Sequence, residues 1–194
     1  EPNFYWASIL SDASGSDARV AIFSNCDRLE LFFDGKNYAA LHPDRAGFPH
    51  ISYPPFFVEL PRNNAQRPDL RIDGYVGERL ALSRMFSGDR SAGRLHLRAE
   101  DAELIADGAD ATWLVIGAVD KFGAPRSHVG GQITLKIEGQ GQIIGDNPFD
   151  LAPGDGWGTV LVRSVAGGTG RIRIAASHPQ LGHAEVDIVA RDAK

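Results

Sequence analysis

The sequence is divided into short apolar runs of strand length, and an Asp-Gly pair joins the two clearest of them. Arg28–Phe33 and Lys36–Ala40 each have the length of a strand, and Asp34-Gly35 lies between them. A tight primed turn needs two residues with positive φ, and Asp followed by Gly supplies them. The segment therefore predicts an antiparallel hairpin, and it commits this part of the chain to β-structure.

The rest of the chain repeats this pattern, because runs rich in Val, Ile, Leu, Phe and Thr are separated by Gly, Pro, Asn and Asp. The i, i+3, i+4, i+7 spacing of an amphipathic helix is almost absent. Residues 43–55 carry four prolines and are expected to form an irregular loop. The sequence therefore predicts an all-β fold, with strands near 19–23, 56–60, 70–75, 78–83, 94–98, 111–119, 132–138, 159–163, 171–175 and 185–189.

Two series of strands predict two domains, at residues 1–99 and 100–194. Turn residues separate the strands at the spacing of an immunoglobulin-like sandwich. Residues 171–174 alternate Arg and Ile, which places Ile in the core and Arg in solvent. We therefore predict two tandem immunoglobulin-like antiparallel β-sandwiches. They meet near Glu100 without a Gly/Ser linker, so we expect them to be stiffly coupled.

One strand of the second series departs from the alternation. Trp113 and Val115 lie on one of its faces and Leu114 and Ile116 on the other, so both faces are apolar. We expect this strand to contact another domain on the face that would otherwise be solvated. In particular, we expect the first domain to cover the face that carries Leu114 or Ile116.

Charge and composition exclude several classes of partner. The net charge is −5 and the charged residues are interspersed, so no basic stripe is available for nucleic acid or a membrane surface. No run approaches the length of a membrane span. Cys26 is the single cysteine, so an intrachain disulfide is impossible and a buried, inert thiol is expected. Because the opening residues 1–3 lack both an initiator methionine and a signal pattern, we expect a longer parent chain.

Three further patterns favour turns over cofactor or metal sites. Gly139–Gly145 resembles a dinucleotide-binding loop, but its third Gly comes one residue late and residues 146–148 would block the helix that such a loop needs. A group of aspartates lacks the spacing of the twelve-residue calcium loop, although an edge-loop calcium site is the alternative. These aspartates are Asp101, Asp107, Asp110 and Asp120. The six histidines lack zinc-site spacing, so we predict no cofactor and no metal.

Two aromatic residues are the candidates for carbohydrate contact, because the C–H faces of pyranose rings stack on aromatic rings. Trp157 is flanked by Gly156 and Gly158, and Tyr53 precedes Pro54-Pro55. Both residues are therefore expected on loops. The alternative is that both pack at the end of a sandwich or at a seam between domains, as apolar residues generally do.

Residues 20–36 carry a resemblance to a known family. They resemble the pattern V-x-V-x-S-N-C-x-x-V-E-L-x-x-N-G-K in the domain after the catalytic barrel of family 2 glycoside hydrolases of the β-galactosidase type. Asp34 departs from the usual Asn, but both residues suit a primed turn. A second set of segments resembles the bacterial immunoglobulin-like domain that follows in many of these enzymes. These segments are 106–111, 119–125, 143–147 and 170–176. The opening residues 4–9 resemble the tail that leaves the last barrel helix.

The resemblance implies a parent enzyme that cleaves β-glycosidic bonds with retention. Such chemistry uses two carboxyl groups about 5 Å apart, which this family places on two barrel glutamates. The family's motifs for both glutamates lie upstream of these segments, so we expect no catalytic residue here. Whether the chain itself should be called an enzyme stays open.

The function that the resemblance implies is a non-catalytic C-terminal accessory region that supports the barrel or an oligomer interface. Its expected partners are the upstream barrel of the same chain, a carbohydrate and further copies of the parent. A stand-alone carbohydrate-binding module and a cell-surface adhesion or stalk segment are the alternatives. The two halves share no obvious repeat, which argues against a stalk. A bacterial source is implied, and the compartment stays open among cytoplasm, periplasm and secretion.

Overall fold

The computed structural model describes residues 4–10, 17–61, 68–89 and 93–192. Within these residues the regular structure consists of strands and one short 3-10 turn at Ala152–Gly154, which confirms the all-β prediction. No helix in the described segments has the length and apolar character needed to cross a membrane. The chain divides into two compact units, Glu1–Arg90 and Ser91–Lys194.

The first unit contains two antiparallel sheets. Its strands are β1 (Phe4–Leu10), β2 (Asp17–Ser24), β3 (Arg28–Phe33), β4 (Lys36–Leu41), β5 (Phe56–Pro61), β6 (Leu70–Val76) and β7 (Arg79–Phe86). The sheet orders are β1-β2-β5 and β4-β3-β6-β7. The predicted hairpin is present, since Phe33 pairs with Lys36 and both Asp34 (φ 45°) and Gly35 (φ 78°) have positive φ. β1 was not predicted, because the opening segment was interpreted as a tail.

Side chains from both sheets form the core of the first unit. The fully buried members are Ile22, Leu29, Leu31, Phe56 and Ile72, each with 0% exposure. β2 and β3 belong to different sheets, so the segment between them carries the chain across this core. There the Ser24 Oγ accepts a hydrogen bond from the Cys26 N–H (3.0 Å), and the Asp27 N–H donates to the Tyr75 carbonyl (2.8 Å). Cys26 is buried, as predicted.

The second unit also contains two sheets. Its strands are β8 (Arg94–Ala99), β9 (Glu103–Ile105), β10 (Ala111–Val119), β11 (Gln132–Glu138), β12 (Gly141–Ile144), β13 (Phe149–Asp150), β14 (Trp157–Ser164), β15 (Gly170–His178) and β16 (Gly182–Arg191). The sheet orders are β12-β14-β10-β8 and β13-β11-β15-β16-β9. Every pair in this unit is antiparallel except β9–β16, which is parallel. The antiparallel prediction therefore holds apart from this edge.

The division between the units differs from the predicted boundary at residues 99 and 100. β8 had been assigned to the first domain, but it pairs with β10, where Leu97 lies opposite Ile116. Leu95 and Leu97 also pack into the core of the second unit. The apolar pattern of β8 showed that it was a strand, but the pattern contains no information about the strand that it pairs with.

The expectation that the first domain covers the face of β10 that carries Leu114 and Ile116 is wrong. Leu114 and Ile116 are both fully buried in the core of the second unit itself, together with Val160, Val162 and Ile172. Alternation along β10 therefore points these two side chains toward the opposing sheet. The other face of the strand carries Trp113, which is 52% exposed.

We predict that Gly74→Ala destabilises the first unit through contact with the buried thiol. A Cβ at position 74 would lie 2.7 Å from the Cys26 Sγ and 3.2 Å from the Leu82 Cγ. Overpacking of this kind costs about 1–3 kcal/mol. In a Cys26→Ala background the loss should be clearly smaller, as measured by urea unfolding. An equal loss in both backgrounds would show that the sulfur is not the obstacle.

We predict that Ile116→Ala lowers the free energy of unfolding of the second unit by about 2–5 kcal/mol, because it leaves a cavity in a close-packed core. The loss should be the same in the whole chain and in a 91–194 fragment, since the partners of Ile116 lie within that unit. Urea unfolding of the two pairs of proteins measures both values. A larger loss of unfolding free energy in the whole chain would indicate that the first unit also contacts Ile116.

Candidate functional site

The outer face of the sheet β12-β14-β10-β8 carries two tryptophans. Strand register places Ile144 opposite Leu161 and Leu161 opposite Trp113, so these three side chains form one row across the sheet. Further along the same face, Trp157 lies opposite Gly117. Side chains at alternate positions of a strand share a face, so Trp113 and Trp157 project from the same side of the sheet.

A glycine fixes the position of the Trp157 indole. A Cβ at Gly117 would overlap three carbons of this indole, so the ring lies directly against the backbone of β10. His96 of β8 is the next residue across the sheet, and the centroids of the His96 and Trp157 rings lie 5.8 Å apart. Trp157 is half-buried as a result. This packing is consistent with the packing alternative, but it leaves part of the indole at the surface.

Burial lowers the pKa of His96, and the positive charges of Arg98 and Arg94 lower it further. Both effects oppose the protonated form, because it carries a positive charge. The imidazole beside Trp157 is therefore neutral at neutral pH.

β14 has an open edge beside Trp157. β12 ends at Ile144, opposite Leu161, and the chain then leaves the sheet at Gly145 (φ 125°). β13, which follows, pairs with β11 in the other sheet. In the described part of the chain, residues 157–160 therefore have β10 as their only neighbouring strand.

Two hydrogen bonds show which backbone groups point toward this open edge. The Ser164 N–H donates toward the β10 side, to the Asp110 carbonyl (2.9 Å), and the Val165 N–H donates toward the β12 side, to the Gln140 carbonyl (3.2 Å). Backbone direction alternates along an antiparallel strand. The N–H and C=O groups of Trp157 and Thr159 therefore point to the open edge.

A cleft of about 410 Å³ lies at this edge. Its lining residues are Asp146, Phe149, Asp150, Pro153, Gly154, Trp157, Gly158, Thr159 and Val160. The Phe149 ring packs over Gly158, where an added Cβ would lie 2.7 Å from the ring. Trp157 projects from the outer face of β14, whereas Gly158 and the Phe149 ring lie on the core face, so residues from both faces line the cleft together with backbone groups and carboxylates.

The carboxylates give the cleft a negative charge. The Asp150 Oδ1 accepts hydrogen bonds from the N–H groups of Ala152 (2.9 Å) and Gly131 (3.0 Å), and these bonds lower the pKa of Asp150. Asp150 is therefore ionised at neutral pH. Asp146 is exposed at the same cleft. The lining residues include no Lys, Arg or His.

The second candidate, Tyr53, lies in the first unit. It belongs to the irregular segment 42–55 between β4 and β5, where the prolines had predicted a loop. The ring is 62% exposed, whereas the neighbouring Pro54 and Pro55 are buried. Tyr53 and Trp157 belong to different units.

Three of the four aspartates that had suggested calcium, Asp107, Asp110 and Asp120, accept hydrogen bonds from backbone N–H groups. The Asp107 Oδ1 accepts from Ala109 (2.8 Å) and Asp110 (2.7 Å), which lowers the pKa of Asp107. The Asp120 Oδ1 accepts from Phe122 and Ala124 in the same way. Over the described ranges, no group of three or more His, Cys, Asp or Glu side chains is arranged to hold a metal. In the glycine-rich segment, Gly139 and Gln140 form the turn between β11 and β12, and the residues that follow form β12 itself.

Trp157 was expected on a loop, but it is the first residue of β14, and sequence reasoning did not single out the other residues of the cleft as candidates for carbohydrate contact. Phe149, Asp150 and Thr159 come from segments that meet only through the crossing between sheets. The one local signal was the cluster of turn residues at 145–148, which marks the point where the chain leaves the sheet.

We predict that lowering the pH quenches Trp157 fluorescence with a midpoint below the ordinary histidine value of about 6.5. The pKa of His96 is lower in the folded chain than in the unfolded chain, so the imidazole becomes protonated only below the ordinary histidine pKa. The contribution of neutral His96 to stability is therefore present above the ordinary pKa and is lost as the pH falls through the pKa of the folded state. Protonated imidazole quenches indole emission. A chain with Trp6→Phe and Trp113→Phe isolates the signal of Trp157, and His96→Gln should abolish the transition. A midpoint at or above that of free histidine would contradict the geometry.

Comparisons with known proteins agree with this fold. Residues 95–187 match the profile of the family described as glycoside hydrolase family 2 C-terminal domain 5. A β-galactosidase of Thermoanaerobacter pseudethanolicus is 33% identical over 161 residues, which is 76% of this chain and 20% of that protein. A β-galactosidase of Rhizobium meliloti is 24% identical over 201 residues, covering 98% of this chain and 25% of that protein.

A solved structure shows the same likeness at the level of the fold. The crystal structure of a β-glycosidase from Bacteroides vulgatus superposes with a TM-score of 0.71 at 15% identity, over 97% of this chain and 24% of that one. The chain thus spans a quarter or less of the length of these relatives. On the agreement of profile, relatives and fold, the chain belongs to the C-terminal region of the family 2 glycoside hydrolases and carries their C-terminal domain 5 at residues 95–187.

Proposed function

We propose that the chain is a non-catalytic accessory region of a retaining, β-galactosidase-like hydrolase, and that it supports the catalytic barrel or an oligomer interface of its parent. The two β-galactosidase relatives support the enzyme class, and their greater length leaves room for a separate catalytic barrel. Retaining hydrolysis needs two carboxyl groups about 5 Å apart. This proposal assigns both groups to that barrel.

The observation that carries the supporting role is the apolar row on the outer face of the sheet β12-β14-β10-β8. Trp113 is 52% exposed and Ile144 is 37% exposed, and Leu161 lies between them. Large exposed side chains in register on one sheet face form a contiguous surface, and such surfaces mark interaction sites. Tryptophan is also enriched among the residues that dominate binding energy at interfaces.

The outer face of the sheet β4-β3-β6-β7 in the first unit is different, because arginine side chains cover its Tyr75 and Phe32 rings. The Arg28 guanidinium lies 4.0 Å from the Tyr75 ring centroid, and that of Arg71 lies 4.1 Å from the Phe32 ring centroid. Such cation–π pairs cover the rings without an outside partner. The row around Trp113 is therefore the better candidate for contact with the rest of the parent.

We predict that Trp113→Glu in the full-length parent lowers the melting temperature or shifts the oligomeric state, because it places a charge in a desolvated contact. In the isolated chain the same change should alter stability by less than about 0.5 kcal/mol, as is usual at an exposed position. Calorimetry and light scattering measure these effects. The isolated chain should also hydrolyse no aryl β-glycoside.

The matched control is Leu80→Glu, at a similarly exposed apolar position (51%) on β7 of the first unit. It should leave the parent unchanged. An unaffected parent with Trp113→Glu would remove the supporting role from this face. Turnover by the isolated chain that survives exhaustive purification would overturn the non-catalytic assignment.

A further inference from the structure

We propose that the cleft at the open edge of β14 binds a neutral sugar unit of a glycan. This inference does not depend on the supporting role, because the cleft lies within the second unit. It uses Trp157 and the residues around it, whereas the supporting role uses the row around Trp113.

The size of the cleft suits a small ligand. Pockets for small molecules range from about 300 to 1,000 Å³. The cleft volume of about 410 Å³ lies in the lower part of this range, which fits a monosaccharide or disaccharide unit.

The aromatic side of the cleft is fixed before any ligand binds. On the outer face, Gly117 lets the Trp157 indole lie against β10, and on the core face the Phe149 ring packs over Gly158. A ring held by packing loses little conformational freedom on binding, so it favours affinity. A pyranose presents an apolar C–H face that matches such a ring.

The polar side of the cleft matches sugar hydroxyls, which both donate and accept hydrogen bonds. The carboxylates of Asp146 and Asp150 accept, and the Thr159 hydroxyl does both. The backbone groups at the open edge, which belong to Trp157 and Thr159, add further donors and acceptors. A neutral pyranose can place its apolar C–H face against an aromatic ring while its hydroxyls form hydrogen bonds with the polar groups of the cleft.

The charge of the lining excludes acidic sugars. Two carboxylates border the cleft, and its lining carries no Lys, Arg or His. The carboxylate of a uronic or sialic acid would be repelled, since the described lining residues include no Lys or Arg to pair with it. An extended peptide added to the edge of β14 is the competing occupant, but the open stretch is limited to residues 157–160.

The test is an NMR titration of the ¹⁵N-labelled chain with lactose and with cellobiose, and separately with glucuronic acid and a short extended Thr-Val repeat peptide. We expect saturable shifts of the Trp157 indole N–H and of the Gly158 and Thr159 amides with a neutral disaccharide. The dissociation constant should be on the order of 1 mM. Glucuronic acid and the peptide should produce no saturable shift.

Variants locate the site. Trp157→Ala should weaken binding by at least about tenfold. Because this change also removes packing on Gly117, Asp146→Asn and Thr159→Val, both at exposed positions, provide further variants that preserve the fold. Each should weaken binding several-fold. Trp113→Ala is the matched control on the same sheet face, and it should bind the sugar with the same affinity as the unsubstituted chain.

Four outcomes would overturn the proposal. They are the absence of saturable shifts with both neutral disaccharides up to about 50 mM, equal binding of glucuronic acid, binding of the peptide instead, and loss of binding in the Trp113→Ala control. None of these outcomes bears on the supporting role, which is tested in the full-length parent.

Discussion

The burial of Leu114 and Ile116 between the two sheets of the second unit is the interaction on which the rest of that unit depends. β10 lies between β8 and β14, so fixing its inner face also fixes its outer face. Trp113 and Gly117 are then presented outward by alternation. Core packing of β10 thus fixes the position of Trp113 in the exposed apolar row and the position of Gly117, against which the Trp157 indole packs.

The cleft forms where the chain crosses from one sheet of the second unit to the other, between β12 and β13. β12 pairs with only the second half of β14, after which the chain crosses and β13 joins β11. Among the described strands, none lies beside the backbone groups of Trp157 and Thr159 on this side, and the crossing brings Phe149 and Asp150 next to them. An exposed edge of this kind invites association. Here it is short, and carboxylates border it.

In the first unit, the residues that carry the family pattern act at the crossing between sheets. Ser24 accepts a hydrogen bond from the Cys26 N–H, and Cys26 fills the space beneath Gly74. The thiol is therefore a packing group, and a side chain at position 74 would displace it. The residues of the pattern at Ser24 and Cys26 thus form the crossing between the sheets and its packing beneath Gly74.

The sequence by itself determined the features that depend on neighbouring residues. The Asp34-Gly35 turn, the alternation in β15, the loop at 42–55 and the existence of most strands all follow from local backbone preference and burial. The buried thiol and the family resemblance also came from the sequence alone.

Tertiary structure alone decided which strands pair. β8 joined β10 rather than closing the first unit, β1 became a strand through its pairing with β2, and the inner face of β10 was covered by its own unit. Pairing depends on contacts between residues that are distant in sequence, and these contacts leave no periodic signal in either segment. For the same reason the sequence singled out Trp157 but favoured a loop position, and only the fold placed it in β14 near Phe149, Asp150 and Thr159.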